Sequence, residues 1–429
     1  MKKLYIQDLR NKIGQAVELT AWVHRKRTHG SLLFLVLRDS TGIVQASIKK
    51  DQCGEEPFNN ASAVTLESVV TVKGVVVEDR RAPAGIEVRV SNFNSLSPSQ
   101  EFPLQEDTGL EVLLDYRHLH LRSIRLTNIM KARHYLLEYL REFFNDDRFW
   151  EVYPPILTVA GCEGGSTLFG LDYYGDTVYL SQSAQLYLEV LILSLEKVYA
   201  FTPSFRAEKS RTPKHVTEYW HLEQEAAYYD NEDNMKFQEN MVSYVCQRMA
   251  DQQGALVKEL GRDPGYLKNV SPPFYRLTYD KALEKLADAG IEKEWGDDLG
   301  TEDEYALTEG LDKPLFVWRW PRTAKPFYMK LDPQNDEYVL NDDLLAPEGH
   351  SELIGGSQRI HDYDELVQRM EEQDMDPAAY EWYIDLRKYG SVPHSGFGLG
   401  TERLLKWMLN LEHIRDVIPF PRTPRRYYP

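Results

Sequence analysis

Polar and apolar residues alternate on both sides of a cationic loop in the stretch FRAEKSRTPKHVTEYWHLEQE, residues 205–225. The polar positions are Ser204, Arg206 and Glu208 before the loop and His221, Glu223 and Glu225 after it. Every second residue of a strand points to the same face, so we predict two antiparallel strands with a common polar face. Unpaired charges are costly to bury, so this face should line a wet pocket. From the pattern alone, a solvated amphipathic hairpin is the alternative.

Five short runs rich in Val, Ile, Thr and Phe occupy residues 17–95, with turn residues between them. Their spacing predicts a small five-stranded barrel, and the commonest barrel of this size is the oligonucleotide-binding (OB) fold. Phe34 and Gln45 lie on neighbouring strands. An aromatic ring beside an amide suits stacking on a nucleobase and hydrogen bonding to its edge. The alternative is a core phenylalanine and a surface glutamine.

Helical spacing dominates much of the remaining chain. Apolar residues recur in this way between Ile129 and Phe144, which predicts a helix capped by Thr127 or Asn128. A second helix is expected after Ser183 and a third over residues 230–253.

Three segments combine charge with glycine or a turn. Residues 159–170 surround one carboxylate, Glu163, and form either a lid or a plain loop. Asp343 and Glu352 flank a turn, where two carboxylates near a phosphate would suit Mg²⁺, although solvated acids are the alternative. GFGLGTER places Arg403 in the first turn of a helix, and its glycines leave room for a flat ligand. The glycine spacing excludes a Rossmann fingerprint and a P-loop.

Charge is unevenly divided along the chain. Residues 1–100 hold 14 Lys and Arg against 10 Asp and Glu, so the net charge of −17 leaves −21 for the rest. A mildly basic module on an acidic body is compatible with local RNA contact. The three cysteines are scattered, and the N-terminus lacks an apolar signal segment. We therefore expect a cytoplasmic protein that does not enter a membrane.

Three signatures follow one another: an FRAE strand with a distant His-x-x-Glu, acids before a GGSQR turn, and a terminal GFGLG-x-ER. Together they resemble the class II aminoacyl-tRNA synthetases of the aspartyl/asparaginyl/lysyl subgroup, most closely the archaeal asparaginyl branch. The resemblance covers nearly the whole chain and implies an α+β fold. Residues 1–100 would form an OB-fold anticodon-binding domain and 101–125 a connector. Residues 126–429 would form a catalytic domain with a mostly antiparallel sheet of six or seven strands flanked by helices, and a small helical insertion near 255–313.

The resemblance also implies a reaction in which ATP converts L-asparagine to an adenylate before transfer to tRNA(Asn), with Mg²⁺ as cofactor. Arg206 would bridge the substrate carboxylate and the α-phosphate. Glu208 would accept from the adenine amino group, and Tyr219 would stack on its ring. Arg403 would cover the other adenine face and meet the γ-phosphate. The remaining phosphate and metal contacts would come from Arg211, His215, Asp343 and Glu352.

For the amino acid, the resemblance implies that Glu163 and Gln185 take the α-ammonium. Glu223 would accept from the side-chain amide, and Arg359 would donate to its oxygen. Leu188 stands where aspartyl relatives carry a lysine that faces the substrate carboxylate. Its apolar side chain is therefore expected to favour asparagine over aspartate.

The implied partners are tRNA and a second copy of the chain. Phe34 and Gln45 would stack on and read the middle anticodon base, and the region of Pro155 resembles a motif that forms a homodimer. Three alternatives remain: an aspartyl-tRNA synthetase, a tRNA-independent asparagine synthetase on the same core, and an inactive RNA-binding relative. The barrel counts against the second. The charges expected at the ATP site are all present, which counts against the third.

Overall fold

The computed structural model describes residues 3–159, 161, 167–209 and 215–429. The chain divides into two compact units, Met1–His120 and Leu121–Pro429. Glu163 and Arg211, both assigned from the sequence, lie outside the described residues. No helix in the described part of the chain is long and apolar enough to cross a membrane.

The first unit is built on a closed barrel with the strand order β1-β2-β3-β5-β4. Its strands are β1 (Ala16–His29), β2 (Leu32–Asp39), β3 (Gly42–Lys49), β4 (Val69–Glu78) and β5 (Ile86–Ser97). Only the β3–β5 contact is parallel among the strand pairs of the described barrel. Leu33, Leu35 and Leu37 alternate into the fully buried interior, as a period of two requires. The predicted five-stranded OB-type barrel is confirmed.

Phe34 and Gln45 are both half-buried and lie outside the barrel core. Phe34 faces Ser47 across the ladder, and Gln45 faces Val36. Cross-strand partners share a face, so both side chains are on the outer surface of the β2–β3 pair. A core phenylalanine is therefore the wrong alternative. The helices of this unit are α1 (Lys50–Cys53), α2 (Glu55–Ala63), α3 (Leu110–Asp115) and α4 (Arg117–His120), with 3₁₀ turns at Ile6–Lys12 and Pro83–Gly85.

The second unit contains a sheet of eight described strands, whereas six or seven were expected. In sheet order they are β12 (Tyr275–Thr278), β13 (Leu315–Trp318), β14 (Asn341–Ala346), β15 (Ser351–Gln358), β16 (His394–Gly400), β11 (Glu218–Ala227), β10 (Lys197–Phe205) and β6 (Trp150–Glu151). The outermost pairs are parallel and the others antiparallel, so the mostly antiparallel sheet is confirmed. Strand β12 lies in the segment expected to be a helical insertion. The same segment also holds three helices, so only this four-residue edge strand, which leaves little pattern to detect, departs from the expectation.

Helices cover this sheet, and a separate three-stranded sheet consists of β7 (Leu157–Thr158), β8 (Gly170–Tyr173) and β9 (Asp176–Leu180). The helices are α5 (Ile124–Asp146), α6 (Gln185–Leu195), α7 (Asn231–Glu259), α8 (Pro264–Asn269), α9 (Tyr279–Asp288), α10 (Thr301–Thr308), α11 (Tyr363–Glu372), α12 (Glu381–Lys388) and α13 (Thr401–Met408). Single 3₁₀ turns occupy Arg322–Ala324, Pro377–Tyr380 and Ile414–Val417. Helix α5 begins earlier than expected, because Ser123 caps it by accepting from Leu126 N–H.

Strand β16 lies at the centre of the sheet, between β15 and β11. Two of its glycines make room for side chains of the neighbouring strand β11. A Cβ at Gly396 would overlap the Glu225 carboxylate, and one at Gly398 would overlap the His221 imidazole. The space beside Gly396 and Gly398 is thus taken up by β11 side chains. Gly398 and Gly400 nevertheless line the smaller cavity described next, so room for a flat ligand at these two positions stays a prediction.

Candidate active site

A cleft of about 1240 Å³ opens over the central strands of the second unit, and a smaller cavity adjoins it. Residues common to both walls are Arg206, Glu208, His215, His221, Glu352, Gly398 and Arg403. Tyr219 lines only the smaller cavity, whereas Gln185, Glu223, Asp343 and Arg359 line only the cleft. The structure therefore brings together the described residues that the sequence assigned to this site, with the exception of Leu188.

Arg206 directly follows β10, which ends at Phe205 rather than continuing to Glu208 as predicted. Its backbone N–H still donates to the Thr217 carbonyl at 3.0 Å, so the backbone pairing of the hairpin extends by one residue beyond the end of β10. Its guanidinium carbon is 5.8 Å from the centroid of the Tyr219 ring. A cation and an aromatic ring are thereby placed side by side in the wall of the smaller cavity.

Arg403 crosses from the start of α13 to β15. Its Nη1 donates to the Glu352 carbonyl at 2.9 Å and lies 3.4 Å from a Glu352 carboxylate oxygen. The helix start is anchored by Glu402, a buried residue whose carboxylate accepts from Arg133 Nη2 at 2.7 Å and from Trp220 N–H at 3.2 Å. The backbone next to Arg403 is therefore fixed by the charge-assisted hydrogen bonds of Glu402, while the Arg403 side chain itself stays 20% exposed.

Glu223 ties strand β11 to the start of α6. One carboxylate oxygen accepts from the Ser183 hydroxyl, and the other accepts from the Ala184 N–H at 2.8 Å. His221 Nδ1 lies 3.5 Å from the same carboxylate. Glu223 is therefore a buried, oriented acceptor with protein donors already in place, rather than an open carboxylate.

Arg359 and Glu225 form a buried ion pair beside the cleft. Arg359 Nε and Nη2 each lie 3.1 Å from a Glu225 oxygen, and Nη1 donates to Ser357 Oγ at 2.6 Å. Burial acts to lower the pKa of Arg359, but the Glu225 carboxylate overrides it, so the pKa rises. The guanidinium is therefore charged and held rigidly at the cleft wall.

Leu188 requires a correction. It is fully buried in an apolar cluster with Ala184, Ile192, Val198 and Ala200, and within the described residues it lines neither cavity. Its side chain packs with Val198 and Ala200 of β10 instead of reaching the cleft beside Gln185. Its assignment as an amino-acid-binding residue is wrong as a direct contact.

Asp343 and Glu352 converge from neighbouring strands on either side of Gly355. A Cβ at Gly355 would lie 3.2 Å from Glu352 Oε1 and 3.7 Å from Asp343 Oδ1. Lys325 Nζ lies 2.6 Å from Asp343 Oδ2. Burial raises the pKa of Asp343 to about 7; the Lys325 ammonium opposes this and the Glu352 carboxylate adds to it. The site therefore has two neighbouring acids whose mutual repulsion an additional cation would relieve.

Comparison with known proteins gives two kinds of match. Residues 109–424 match the family of class II tRNA synthetases (D, K and N), and residues 17–96 match the OB-fold nucleic acid binding domain. The asparagine–tRNA ligase of Thermococcus gammatolerans is 50% identical over 428 residues, which is 100% of this chain and 99% of the relative. The chain belongs to the asparagine–tRNA ligase family. A further member of this family, from Pelotomaculum thermopropionicum, is 44% identical over 430 residues and 100% of both chains.

Solved structures of asparaginyl-tRNA synthetases agree with this fold. The enzyme from Pyrococcus horikoshii, complexed with asparaginyl-adenylate, superposes with a TM-score of 0.97 at 50% identity over 100% of both chains. The Entamoeba histolytica enzyme in complex with the same adenylate gives 0.92 at 31% identity, again over 100% of both chains. The resemblance seen in the sequence is confirmed, and the asparaginyl assignment is favoured over the aspartyl alternative. An adenylate-forming ligase family uses ATP, so the ATP requirement follows as well.

Several residues of this asparagine–tRNA ligase site were not found by sequence reasoning. Lys325 gave no signal because it lies outside any motif. His221 lay on the predicted polar face but received no role. Glu189, one helical turn after Gln185, is fully buried and bonded to it; a glutamate in an otherwise apolar helix was the signal that could have found it.

Proposed function

We propose that the cleft joins L-asparagine to tRNA(Asn) through an asparaginyl-adenylate, with ATP bound at the Arg206–Arg403 end and asparagine at the Gln185–Arg359 end. The observation that carries this proposal is the continuity of the two cavities. Arg206 and His221 line both of them, so one ligand can extend from an aromatic, cationic pocket into a buried polar one. A mixed anhydride of an amino acid and AMP has this distribution of chemistry.

At the ATP end, catalysis needs alignment and neutralisation of anions rather than a covalent protein intermediate. Arg206 would hold the asparagine carboxylate and the α-phosphate together with its planar fork. Glu208 would accept from the adenine amino group, and Tyr219 would stack on the ring. Arg403, which reaches the same cavity from α13, would cover the opposite face. His215, and Arg211 outside the described residues, would add positive charge near the phosphates.

Mg²⁺ would be held by Asp343 and Glu352. Two carboxylates, supplemented by phosphate oxygens and water, match the oxygen ligands that Mg²⁺ prefers. The described residues include no cluster of three or more His, Cys, Asp or Glu side chains able to hold a metal alone, so the nucleotide would complete the coordination. The ion would supply neutralisation of the polyphosphate.

Selection of asparagine over aspartate would rest on groups that the protein has already oriented. Arg359 would donate to the side-chain carbonyl of asparagine while Glu225 keeps the guanidinium fixed. Glu223 would oppose a second carboxylate at close range, and an unpaired repulsion in a half-dry site is strongly unfavourable. Leu188 would act only indirectly, by keeping a cation out of the wall behind Glu223. Gln185, with Glu163 beyond the described residues, would receive the α-ammonium.

The barrel would bind the anticodon through the outer face of β2 and β3. Arg27 is exposed directly opposite Phe34, so a cation accompanies the aromatic ring. Gln45 Nε2 donates to Glu87 at 3.1 Å, which leaves the amide oxygen as the group that would meet a base donor. This supports a role in reading one base while the ring stacks on it.

A homodimer would bury the apolar surface near β6 and Pro155. Trp150, Tyr153 and Val159, close together in the sequence there, are all more than half exposed, and a group of exposed apolar side chains is typical of an interaction surface. A two-fold contact between copies would cover them. Sedimentation at micromolar concentration should therefore give twice the chain mass. The cytoplasmic location stays a prediction of the sequence.

The deciding experiment is ATP–pyrophosphate exchange and aminoacylation of tRNA(Asn) with asparagine and with aspartate. We expect asparagine to be preferred by about 10⁴-fold in kcat/KM, the range reached when a site bonds a group that the analogue lacks. Comparable values for the two amino acids would contradict the selectivity, and exchange with neither would contradict the function.

A further inference from the structure

We propose that Glu189 is a positioning residue that fixes the amide of Gln185, so that only the oxygen of this amide faces asparagine. The inference rests on the proposed function, because it takes Gln185 as the group that receives the α-ammonium. It extends that function to a residue outside the cleft wall, in the second layer behind Gln185.

The two side chains are one helical turn apart on α6, at positions that face each other. Gln185 Nε2 donates to Glu189 Oε1 at 3.0 Å. Glu189 is an obligate acceptor when ionised, so the nitrogen of the Gln185 amide must face it. The amide oxygen is thereby turned the other way, and it accepts no hydrogen bond from any described residue.

Glu189 is held in the acceptor state by two donors on its second oxygen. Oε2 accepts from Arg387 Nη2 at 2.6 Å and from the Tyr383 hydroxyl at 2.7 Å, and it lies 3.0 Å from His394 Nε2. The ion pair with Arg387 is fully buried on both sides. Burial alone would raise the pKa of Glu189, but Arg387 and His394 hold it below its usual value.

The orientation of the Gln185 amide decides whether the cleft offers an acceptor or a donor to the ammonium. An ammonium can only donate hydrogen bonds, so it needs an acceptor. A glutamine amide without a fixed partner would offer NH₂ in one orientation and repel the ammonium. With Glu189 behind it, Gln185 acts as a neutral residue that presents only an acceptor, and no extra negative charge is placed beside the adenylate phosphate.

The decisive variant is Glu189→Gln. Arg387 and Tyr383 both donate, so the oxygen of the new amide should stay with them and its nitrogen should turn towards Gln185. Gln185 must then turn its own oxygen inwards and its NH₂ into the cleft. We expect asparagine to bind at least about 10-fold more weakly, the scale of one charge-assisted hydrogen bond. The Kd for ATP should stay within about 2-fold.

Asparagine binding should be restored when the two residues are exchanged, that is, when Gln185→Glu is combined with Glu189→Gln. The nitrogen at 189 would donate to the carboxylate at 185, whose second oxygen would again face the ammonium. Asparagine binding by the full-length protein, measured by calorimetry, should recover to within about 3-fold of the unsubstituted protein. Tyr383→Phe is the matched control, because it removes one donor from Oε2 and leaves the Gln185 bond in place.

Succinamic acid, which is asparagine without its α-amino group, separates positioning from general damage. Glu189→Gln should weaken asparagine and leave succinamic acid within about 2-fold. Equal weakening of both ligands would overturn the proposal, and so would an exchanged variant that folds but binds asparagine no better than Glu189→Gln.

If Glu189→Gln does not fold, the exchanged variant alone decides. An exchanged variant that folds and binds asparagine supports the proposal, and one that folds without binding asparagine overturns it. Normal asparagine binding by Gln185→Met would instead refute the role of Gln185 in the proposed function.

Discussion

The two ends of the cleft handle charge in different ways. At the ATP end, Arg403 and Glu352 are 20% and 38% exposed, and Arg206, Glu208 and His215 are all half-buried. At the amino-acid end, Arg359 is 4% exposed and Glu225 is fully buried. The first end therefore keeps charges in contact with water until a polyanion arrives. At the amino-acid end the charges are already removed from water when the protein folds, so the ligand meets groups that are fixed in place.

This difference separates two tasks. A polyphosphate brings its own charge and tolerates adjustment, so half-exposed arginines can reorganise around it. Asparagine and aspartate have nearly the same shape and differ only in charge and donors. Groups that discriminate between them must not move, and burial with saturated bonds prevents movement. The comparison predicts that substitutions at the two ends will affect different measurable quantities.

The largest effect is expected for Glu225→Gln. It leaves the buried Arg359 charge without a carboxylate, which should lower the free energy of unfolding by about 3–5 kcal/mol. Urea unfolding followed by circular dichroism measures this. Arg403→Gln, at the other end, should cost less than about 1 kcal/mol, because its partner is partly solvated. Equal losses for the two variants would break the comparison.

Loss of an arginine at the ATP end should instead appear in the chemistry. Arg206→Ala and Arg403→Ala are each expected to lower ATP–pyrophosphate exchange by at least about 10²–10³-fold, equivalent to about 2.7–4 kcal/mol of transition-state stabilisation. Circular dichroism should show a folded protein in both cases. Arg206→Lys keeps the charge but loses the planar fork, so it should recover only part of the activity. Near-normal exchange in either alanine variant would refute the assigned roles.

The barrel offers a third region that should affect neither quantity. Phe34→Ala should weaken aminoacylation of tRNA by about 1–3 kcal/mol, the scale of one stacked base, with tRNA-free exchange unchanged. Gln45→Ala should act in the same direction. Val75→Ala, on an exposed position of β4 in the same barrel, is the control and should change neither activity. A parallel fall in both activities for Phe34→Ala would indicate a structural role instead.

The smallest expected effect tests how finely the amino-acid end is adjusted. Ser183→Ala removes the hydroxyl that donates to Glu223. The lost hydrogen bond is worth about 0.5–1.5 kcal/mol, so the KM for asparagine should rise roughly 2- to 12-fold. The KM for ATP should not move. Ser194→Ala, farther along α6, is the matched substitution and should have no effect. If the KM for ATP rose with that for asparagine, the two ends would not be separable.

Much of the fold follows from patterns in the sequence. Alternation in β2 identifies Leu33, Leu35 and Leu37 as the inward face, and the same period puts His221, Glu223 and Glu225 on one face of β11. Alternation does not say what lies opposite. The pairing of Glu225 with Arg359 joins residues 134 positions apart, so no local pattern contains it.

The candidate site shows the same boundary. Arg206, Glu208 and Arg403 could be assigned because they sit in motifs that the family shares. Leu188 was misplaced because a substitution relative to an aspartyl pattern was treated as a contact. The sequence also could not show that the Glu225 carboxylate fills the volume beside Gly396, since a sequence records a missing side chain but not the neighbour that occupies its place. Tertiary packing decides both.

The central position of β16 has a consequence for the order in which the protein is made. Residues 394–400 join β11, β10 and β6 on one side to β15, β14, β13 and β12 on the other. Until they leave the ribosome, a nascent chain holds two half-sheets with unpaired edges and with Glu225 and Arg359 still in water. We therefore expect the cleft to close only after residue 400 has left the ribosome. Ribosome-bound chains stalled before residue 394 should be cleaved rapidly in the second unit, whereas the barrel should already resist the protease. Protection of the second unit at that stage would contradict this order.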